Sequence, residues 1–300
     1  MSGPEKRRFR VSAGELAYTE LGDPENPAVV FIHGFPTSSF LWRGFLPMFA
    51  PWMRAIALDM MGAGDSDKPE DEDLSIRAQA RYVRELLDGL GIKEFAVVGH
   101  STGGGVAQLL ALEGGVRAMV LIDSIAFDAW PAENTRDIQG AGFVTVTEVM
   151  VYAVVRLAFE FGIERKSQVT DEILEEYRRP WTGEEGVAAF RRWVRSFDGV
   201  GLVGLEEELG RLECPVLILW GENDPNFAVE VAERLHAAIP TSTLAILPGC
   251  SHFLPEDAPE TIAPMILHYL RSEYLGHPHS HGERTEGRAQ PERRPIGGEE

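Results

Sequence analysis

The sequence predicts an α/β protein whose sheet is mostly parallel and doubly wound, with an inserted helical cap. Six short apolar runs alternate with segments of helical periodicity, which is the pattern of strands that are buried on both faces and joined by crossover helices. The alternation stops in the middle of the chain, where only helical spacing occurs, and then resumes. The six runs predicted as strands are residues 28–32, 54–58, 95–98, 118–122, 215–220 and 243–247.

Amphipathic segments lie between these runs, where the crossover helices of a doubly wound sheet belong. The sequence DPENP at residues 23–27 is typical of a turn before the first long strand, and residues 16–20 predict an antiparallel strand at the edge of the sheet. The helices predicted around the sheet are residues 40–49, 75–90, 101–113, 226–238 and 259–271.

The middle of the chain has a different character. Between residue 125 and about residue 209 helical spacing dominates, and breaks that contain glycine or proline separate the predicted helices at 147–161, 170–179 and 184–197. We therefore divide the chain into the first part of a core, a helical cap, the second part of the core and a polar tail that is predicted to be disordered. The bounds of these four segments are 1–125, 126–208, 209–275 and 276–300.

The composition fits one globular core with an acidic surface. Of the 300 residues, 44% are hydrophobic, and the formal net charge is -19. The electrostatic field of so negative a protein repels phosphate backbones and anionic membranes. Nucleic-acid binding and membrane binding are therefore not expected. Two cysteines are too few for a disulfide framework. Because the sequence also has neither the pattern of a secretory signal nor an apolar stretch of spanning length, we expect a cytoplasmic protein.

Residues 99–103, GHSTG, form the pattern G-x-S-x-G between an apolar run and a helical segment. A strand that turns sharply into a helix forces the central residue into a strained backbone conformation, which small neighbours permit. Such a turn holds the hydroxyl of Ser101 above the sheet, beside the free N–H groups and the partial positive charge of a helix N-terminus. Ser101 is therefore the predicted nucleophile.

A nucleophilic serine needs a base and an acid that orients the base. Of the eight histidines, His252 is the candidate base, because it follows the last predicted strand and lies outside the tail, the helices and the other motifs. Asp224 follows the strand before it, and the chain order Ser101, Asp224, His252 suits a set of groups delivered to one edge of a parallel sheet. Asp123, which also follows a predicted strand, is the alternative acid; we favour Asp224.

The oxyanion that forms during acyl transfer needs N–H donors. We expect one from the backbone of Thr102, at the start of the helix after the nucleophile. The second is expected from the backbone of Phe35, in the sequence HGFP that follows the strand predicted at residues 28–32. This set of groups requires no metal ion and no organic cofactor.

Taken together, four motifs resemble those of the α/β-hydrolase family in its capped form, and the likeness covers about residues 15–272. The motifs are HGFP at 33–36, DMMGAGDSDKP at 59–69, GHSTGG at 99–104 and WGENDP at 220–225. The longer stretch HGFPTSSFLWR resembles haloalkane dehalogenases and epoxide hydrolases, which carry an aspartate where this chain has Ser101. GHSTGGG resembles the nucleophile turn of cofactor-free haloperoxidases and perhydrolases, which are esterase-like serine enzymes.

The resemblance implies a serine hydrolase, and we expect a carboxylesterase that cleaves small or medium apolar esters through an acyl-enzyme. A carbon-carbon bond hydrolase, a lactonase and a cofactor-free perhydrolase use the same three side chains and are the alternatives. A ligand-binding receptor built on the same fold is the alternative that is not an enzyme. The motifs specify a small-molecule, ester-like substrate but neither its chain length nor the oligomeric state of the protein.

Overall fold

The computed structural model describes residues 5–130, 146–197 and 201–276. Within these ranges eight strands form one sheet. They are β1 (Arg7–Val11), β2 (Gly14–Leu21), β3 (Ala28–Ile32), β4 (Arg54–Leu58), β5 (Phe95–His100), β6 (Val116–Ile122), β7 (Val216–Gly221) and β8 (Ser242–Leu247). Their spatial order is β1-β2-β4-β3-β5-β6-β7-β8. Strands β3 to β8 are parallel, whereas β1 and β2 are antiparallel to their neighbours, so the predicted fold class is confirmed.

The central strands are buried along their whole length, as their continuous apolar sequences predict. Every residue of β3, β5 and β7 is buried, because helices cover both faces of a doubly wound sheet. All six predicted core strands are present, with ends that differ from the prediction by no more than two residues.

Helices connect these strands and form the cap. They are α1 (Leu46–Phe49), α2 (Ile76–Gly89), α3 (Thr102–Glu113), α4 (Glu148–Gly162), α5 (Asp171–Arg178), α6 (Gly183–Arg195), α7 (Glu206–Leu209), α8 (Val229–Ala238), α9 (Leu254–Asp257) and α10 (Pro259–Leu270). Helix α3 packs on β5 and β6, and α8 packs on β7 and β8. Serine and threonine side chains accept hydrogen bonds from the first turns of α2, α4 and α5, and these N-caps begin the helices close to their predicted starts.

The segment predicted as one helix at residues 40–49 is interrupted. A 3-10 turn at Ser39–Trp42 precedes the single turn of α1. Gly44 lies in the gap, and Pro47 near the start of α1 has no N–H to donate to the preceding turn. These two residues prevent a continuous helix.

The antiparallel edge also differs from the prediction. Residues 16–20 belong to β2, but β1 lies outside β2 and forms the edge of the sheet. Three of the five residues of β1 are arginines, so the run lacks the apolar alternation that identifies a strand. Arg7 pairs with Glu20 at 2.7 Å and Arg8 with Glu15 at 2.8 Å on β2, and such charged side chains suit an exposed edge.

The cap helices α4 to α6 follow β6 in the chain and lie against loops at the carboxyl edge of the sheet. The indole N–H of Trp181 donates to the carbonyl of Pro36 at 3.0 Å, in the loop after β3. That of Trp193 donates to the carbonyl of Met61 at 2.9 Å, in the loop after β4. The cap is thus held over the edge where parallel-sheet proteins place their sites. Residues 131–145 of the predicted cap and the predicted disordered tail from residue 277 onward lie outside the described residues.

Candidate active site

Ser101 lies at the turn between β5 and α3. Its backbone has φ 52° and ψ -118°, in a region that residues other than glycine avoid at a cost of about 1–3 kcal/mol. Backbone hydrogen bonds fix this conformation: the N–H of Ser101 donates to Ile122 at 3.0 Å, and its carbonyl accepts from Gly104 at 2.9 Å and Ile125 at 3.1 Å. The side chain projects from a rigid bend, as the sequence pattern predicts.

Two glycines beside the bend leave no room for a side chain. A Cβ atom on Gly103 would lie 2.3 Å from the carbonyl oxygen of Ile32 and 2.5 Å from that of His33. A Cβ on Gly99 would lie 2.4 Å from the carbonyl oxygen of Gly103. All these neighbours are backbone atoms, so they cannot move aside by changing a rotamer. The glycines let β3, β5 and α3 approach closely enough to form the turn.

Gly103→Ala should therefore be strongly destabilising, with a loss of about 3 kcal/mol in the free energy of unfolding. Gly44→Ala, just before α1, is the control. Its new Cβ would have no heavy atom within 4 Å, and an alanine in place of an unstrained glycine stabilises by up to about 1 kcal/mol. Urea unfolding followed by circular dichroism measures both variants. Equal losses in the two would contradict the proposed close packing of the bend.

His252 and Asp224 come together on the loops after β8 and β7. The Nδ1 atom of His252 lies 2.8 Å from Oδ2 of Asp224, and their side chains are only 3% and 0% exposed. The other oxygen of Asp224 accepts backbone N–H groups of Asn226 at 2.7 Å and Phe227 at 3.1 Å. A carboxylate only accepts, so Nδ1 carries the proton and Nε2 of His252 is the basic nitrogen. This is the arrangement that a general base requires.

His100 connects the two halves of the site. Its Nε2 donates to the backbone carbonyl of His252 at 2.9 Å, and the two imidazole centroids are 5.0 Å apart. Burial, and then the proximity of His252, lower the pKa of His100 well below its usual value, so the ring is neutral. His252 thus lies directly against the residue that precedes Ser101. The Ser101 hydroxyl and the His252 ring are not hydrogen-bonded to each other, which is common before substrate binds.

Phe35 and Thr102, the predicted oxyanion donors, flank the serine. Thr102 is the first residue of α3, and the loop that carries Phe35 touches the bend, because a Cβ on Gly34 would lie 2.6 Å from the Cβ of Ser101. Among the described residues, the N–H groups of Phe35 and Thr102 have no hydrogen-bond acceptor. Two free donors, one of them at the N-terminus of α3, suit a developing negative charge.

Aromatic rings from the cap and from the loops pack against one another in the region around Phe35 and His252. The Phe35 ring packs on cap residues Trp193 at 5.9 Å and Phe197 at 5.1 Å. Trp130 packs on Phe197 at 4.7 Å, and a further ring contacts His252 itself: Phe227, whose centroid is 5.6 Å from the imidazole. The surroundings of the base are therefore apolar and poor in water, which strengthens electrostatic interactions within the site.

The alternative acid, Asp123, lies behind this pair and not against the base. It is completely buried at the end of β6, and its Oδ1 accepts the backbone N–H of Gly221 at 2.8 Å. Asp224, not Asp123, makes the hydrogen bond to His252. The geometry therefore favours the acid that the sequence analysis preferred.

Two residues that support the site, His100 and Asp257, were not predicted from the sequence. His100 lies within GHSTG, whereas no motif contains Asp257. The buried carboxylate of Asp257 accepts the N–H of Ser251 at 2.8 Å, of Glu164 at 3.1 Å and of Arg165 at 2.9 Å. This side chain joins the loop that carries His252 to the chain just after α4 of the cap.

In the described ranges, no three or more His, Cys, Asp or Glu side chains are grouped in a way that could hold a metal ion. Over the same ranges, no helix has both the length and the apolar character needed to cross a membrane. Cys214 and Cys250 are both free thiols.

The model of the alpha/beta hydrolase fold family matches residues 27–259. The chain belongs to this family. The protein is therefore a hydrolase of the alpha/beta fold, and the matched span contains Ser101, Asp224 and His252 as well as the cap.

Individual relatives of this hydrolase differ in their named activities. It is 28% identical to the uncharacterized hydrolase YugF of Bacillus subtilis over 88% of this chain and 97% of the relative. It is 29% identical to haloalkane dehalogenase 2 of Mycobacterium tuberculosis over 88% of this chain and 94% of the relative. Epoxide hydrolase 1 of Caenorhabditis elegans is 26% identical, over 90% of this chain and 71% of the relative.

Solved structures show the same fold over most of the chain. An alpha/beta hydrolase fold protein from Burkholderia ambifaria superimposes with a TM-score of 0.79 at 28% identity, covering 87% of this chain and 97% of that protein. A bacterial membrane phospholipase A superimposes with a TM-score of 0.77 at 26% identity, covering 90% of this chain and 86% of that protein.

Proposed function

We propose that this hydrolase is a serine carboxylesterase that cleaves small or medium apolar esters through an acyl-enzyme. The observation that carries the proposal is the positive-φ backbone of Ser101 at a strand-to-helix bend. Its neighbour His100 is hydrogen-bonded to the backbone of His252, which in turn pairs with Asp224. A strained serine held next to an oriented imidazole is the arrangement of an activated nucleophile. A small molecule with an ester-like carbonyl is the expected substrate.

In the first half of the proposed reaction, the Oγ atom of Ser101 attacks the ester carbonyl carbon while Nε2 of His252 takes the hydroxyl proton. Asp224 stabilises the imidazolium through Nδ1. The carbonyl oxygen becomes an oxyanion, which accepts hydrogen bonds from the backbone N–H groups of Phe35 and Thr102. The carbon–oxygen bond to the alcohol then breaks, and His252 returns its proton to the leaving oxygen.

In the second half, water replaces the alcohol. His252 takes a proton from the water as its oxygen attacks the acyl carbon, and a second oxyanion forms in the same place. When this intermediate collapses, the bond to Ser101 Oγ breaks, the serine recovers its proton from His252, and the carboxylic acid leaves. No group beyond those of the chain and water takes part in the cycle.

The chemistry of serine supports an ester substrate over a haloalkane or an epoxide. If Ser101 displaced a halide or opened an epoxide, the product would be an alkyl ether of serine, and water bound beside His252 could not hydrolyse an ether. Acyl transfer instead leaves an ester on the serine, which the same base can hydrolyse. The names of the dehalogenase and epoxide hydrolase relatives therefore do not transfer to a chain with this nucleophile.

Fluorophosphonate labelling tests the nucleophile directly. We expect one covalent adduct on the folded protein, mapped to Ser101 by peptide mass spectrometry, with loss of ester hydrolysis in proportion to labelling. His252→Ala should label much more slowly, because the base that activates the hydroxyl is absent. An adduct on another residue, or none on the folded wild-type protein, would reject the mechanism.

A substrate panel separates the esterase from its alternatives. The panel contains p-nitrophenyl esters of increasing chain length, a lactone, a vinylogous diketone, a chloroalkane and an epoxide, and perhydrolysis is measured by adding hydrogen peroxide to the ester assay. The proposal expects kcat/KM to be highest for an apolar ester. A higher kcat/KM for the diketone or the lactone would assign the enzyme to that class instead, and halide release from the chloroalkane would contradict the esterase proposal.

A further inference from the structure

Asp123 occupies an unusual position at the end of β6, one strand away from the loop of Asp224. Its backbone has φ 42°, a conformation that costs an aspartate about 1–3 kcal/mol and is retained where the surroundings enforce it. The N–H of Asp123 donates to the carbonyl of Leu219 at 3.0 Å, and its Oδ1 accepts from the N–H of Gly221 at 2.8 Å. Both partners lie on β7, so the side chain is fixed at the base of the Asp224 loop.

The second oxygen of Asp123 has no donor. Oδ2 is buried and receives no hydrogen bond from any described N–H or O–H group. The carboxyl group nevertheless lies at the turn that carries Asp224, because Gly221 donates its N–H to Asp123 and accepts the N–H of Asp224 at 3.3 Å. The two carboxyl side chains interact there. An ionised carboxylate can only accept hydrogen bonds. Two interacting carboxylates in a buried site repel each other when both are ionised, which favours a proton on one of them.

The hydrogen bonds decide which carboxyl group is neutral. Asp224 accepts three N–H groups, from His252, Asn226 and Phe227, and each of them stabilises a negative charge. Among the described groups, Asp123 accepts the N–H of Gly221 alone, and its other oxygen has no donor. The proton therefore belongs on Oδ2 of Asp123, where it gives the orphaned oxygen a partner.

We propose that Asp123 is a neutral carboxylic acid that donates a hydrogen bond from Oδ2 to the Asp224 carboxylate and so positions the acid of the catalytic triad. The inference rests on the proposed function in calling these groups a triad. Asp123 touches neither the substrate carbonyl nor the base, so it acts through Asp224. It is a positioning residue.

The electrostatic surroundings agree with this assignment. Burial raises the pKa of Asp123 well above its usual value, and the negative charge of Asp224 raises it further. Asp257 contributes in the same direction, and the hydrogen bond from Gly221 opposes it. The thiol of Cys250 also interacts with Asp123. None of these neighbours is a cation that would favour ionised Asp123.

The hydrogen bond has a consequence for the pH dependence of the reaction. A donor on Asp224 takes up part of its negative charge, so the carboxylate stabilises the imidazolium form of His252 less strongly. Asp123 thus keeps the acid limb of the rate profile at lower pH than an unassisted Asp224 would.

Asp123→Asn and Asp123→Ala together test the protonation state. The asparagine amide keeps a donor toward Asp224 and is neutral, so the acid limb of kcat/KM against pH should stay within about 0.3 pH units of wild type. The alanine variant loses the donor, so its acid limb should move to higher pH. Its kcat should fall by about 10-fold, the effect of one hydrogen bond to a charged group, while KM changes little. An ionised Asp123 predicts instead that Asp123→Asn moves the acid limb to lower pH, by about one unit or more.

Infrared spectroscopy gives a readout that does not depend on activity. We expect a protonated carboxyl C=O band at neutral pH in the wild-type protein and in Ser101→Ala, and its loss in Asp123→Asn. Absence of this band in folded wild-type protein would overturn the proposal, even if the variants fail to fold. Presence of the band together with fluorophosphonate labelling away from Ser101 would leave the carboxyl pair intact and reject only the proposed function.

Discussion

Ser101→Ala should lower kcat by about 10³-fold or more, because removing one member of a triad removes most of the advantage of the whole set. The fold should survive the change. Alanine keeps the Cβ atom of serine, so the backbone at φ 52° is no more strained than before, and the hydrogen bonds that hold the bend are made by backbone atoms. Initial rates on the best ester of the panel and urea unfolding measure the two effects separately.

The double variant Ser101→Ala/His252→Ala makes the prediction stricter. If the two residues act as one unit, the double variant should be no slower than Ser101→Ala alone, because the base has no proton left to remove. Cys250→Ser is the control, since this free, buried thiol lies two residues from His252 in the sequence. It should retain nearly all of the wild-type rate. Losses that multiply in the double variant would show that the serine and histidine work independently.

The part of the fold that the sequence predicts is the part in which burial is uniform. Strands β3, β5 and β7 have apolar side chains on both faces, so the pattern of each is decided locally. Strand β1 escapes prediction because an edge strand is stabilised by pairing with β2 and by ion pairs such as Arg7 with Glu20. The interrupted helix at residues 40–49 shows a second limit of prediction from sequence. The helical spacing of its apolar residues continues through Gly44 and Pro47, although the helical backbone is interrupted there.

The site divides in the same way. The bend at Ser101 is a local feature, because the serine and the glycines that permit the bend lie within five consecutive residues. His100 and Asp257 act through partners far away in the sequence: the hydrogen bond from His100 joins residues separated by 152 positions, and that from Arg165 to Asp257 spans 92. A buried polar side chain needs a hydrogen-bond partner, but the identity of a partner so distant in the sequence cannot be read from the local pattern.

Asp257→Ala should be the most destabilising of the substitutions considered. The carboxylate is completely buried and is the only acceptor, among the described residues, for the N–H groups of Ser251, Glu164 and Arg165. The hydrogen bond from Ser251 is buried and those from Glu164 and Arg165 are partly buried. A buried donor left unpaired costs about 1–3 kcal/mol, so with three donors affected the free energy of unfolding should fall by about 4 kcal/mol. Because whole domains are stable by only about 5–15 kcal/mol, such a loss should be plain in urea unfolding.

Asp257→Asn and Asp88→Ala complete this experiment. Asparagine keeps one acceptor oxygen and should lose about half as much stability as alanine, whereas Asp88→Ala, at an exposed position near the end of α2, should change stability by less than about 0.5 kcal/mol.

Substitution of Asp257 should also lower the catalytic rate. Ser251 precedes His252, and Glu164 and Arg165 follow α4, so Asp257 couples the position of the base to that of the cap. We therefore expect the folded fraction of Asp257→Asn to have a lower kcat than wild type, and wild-type kcat in that fraction would mean that the carboxylate stabilises the fold without positioning His252.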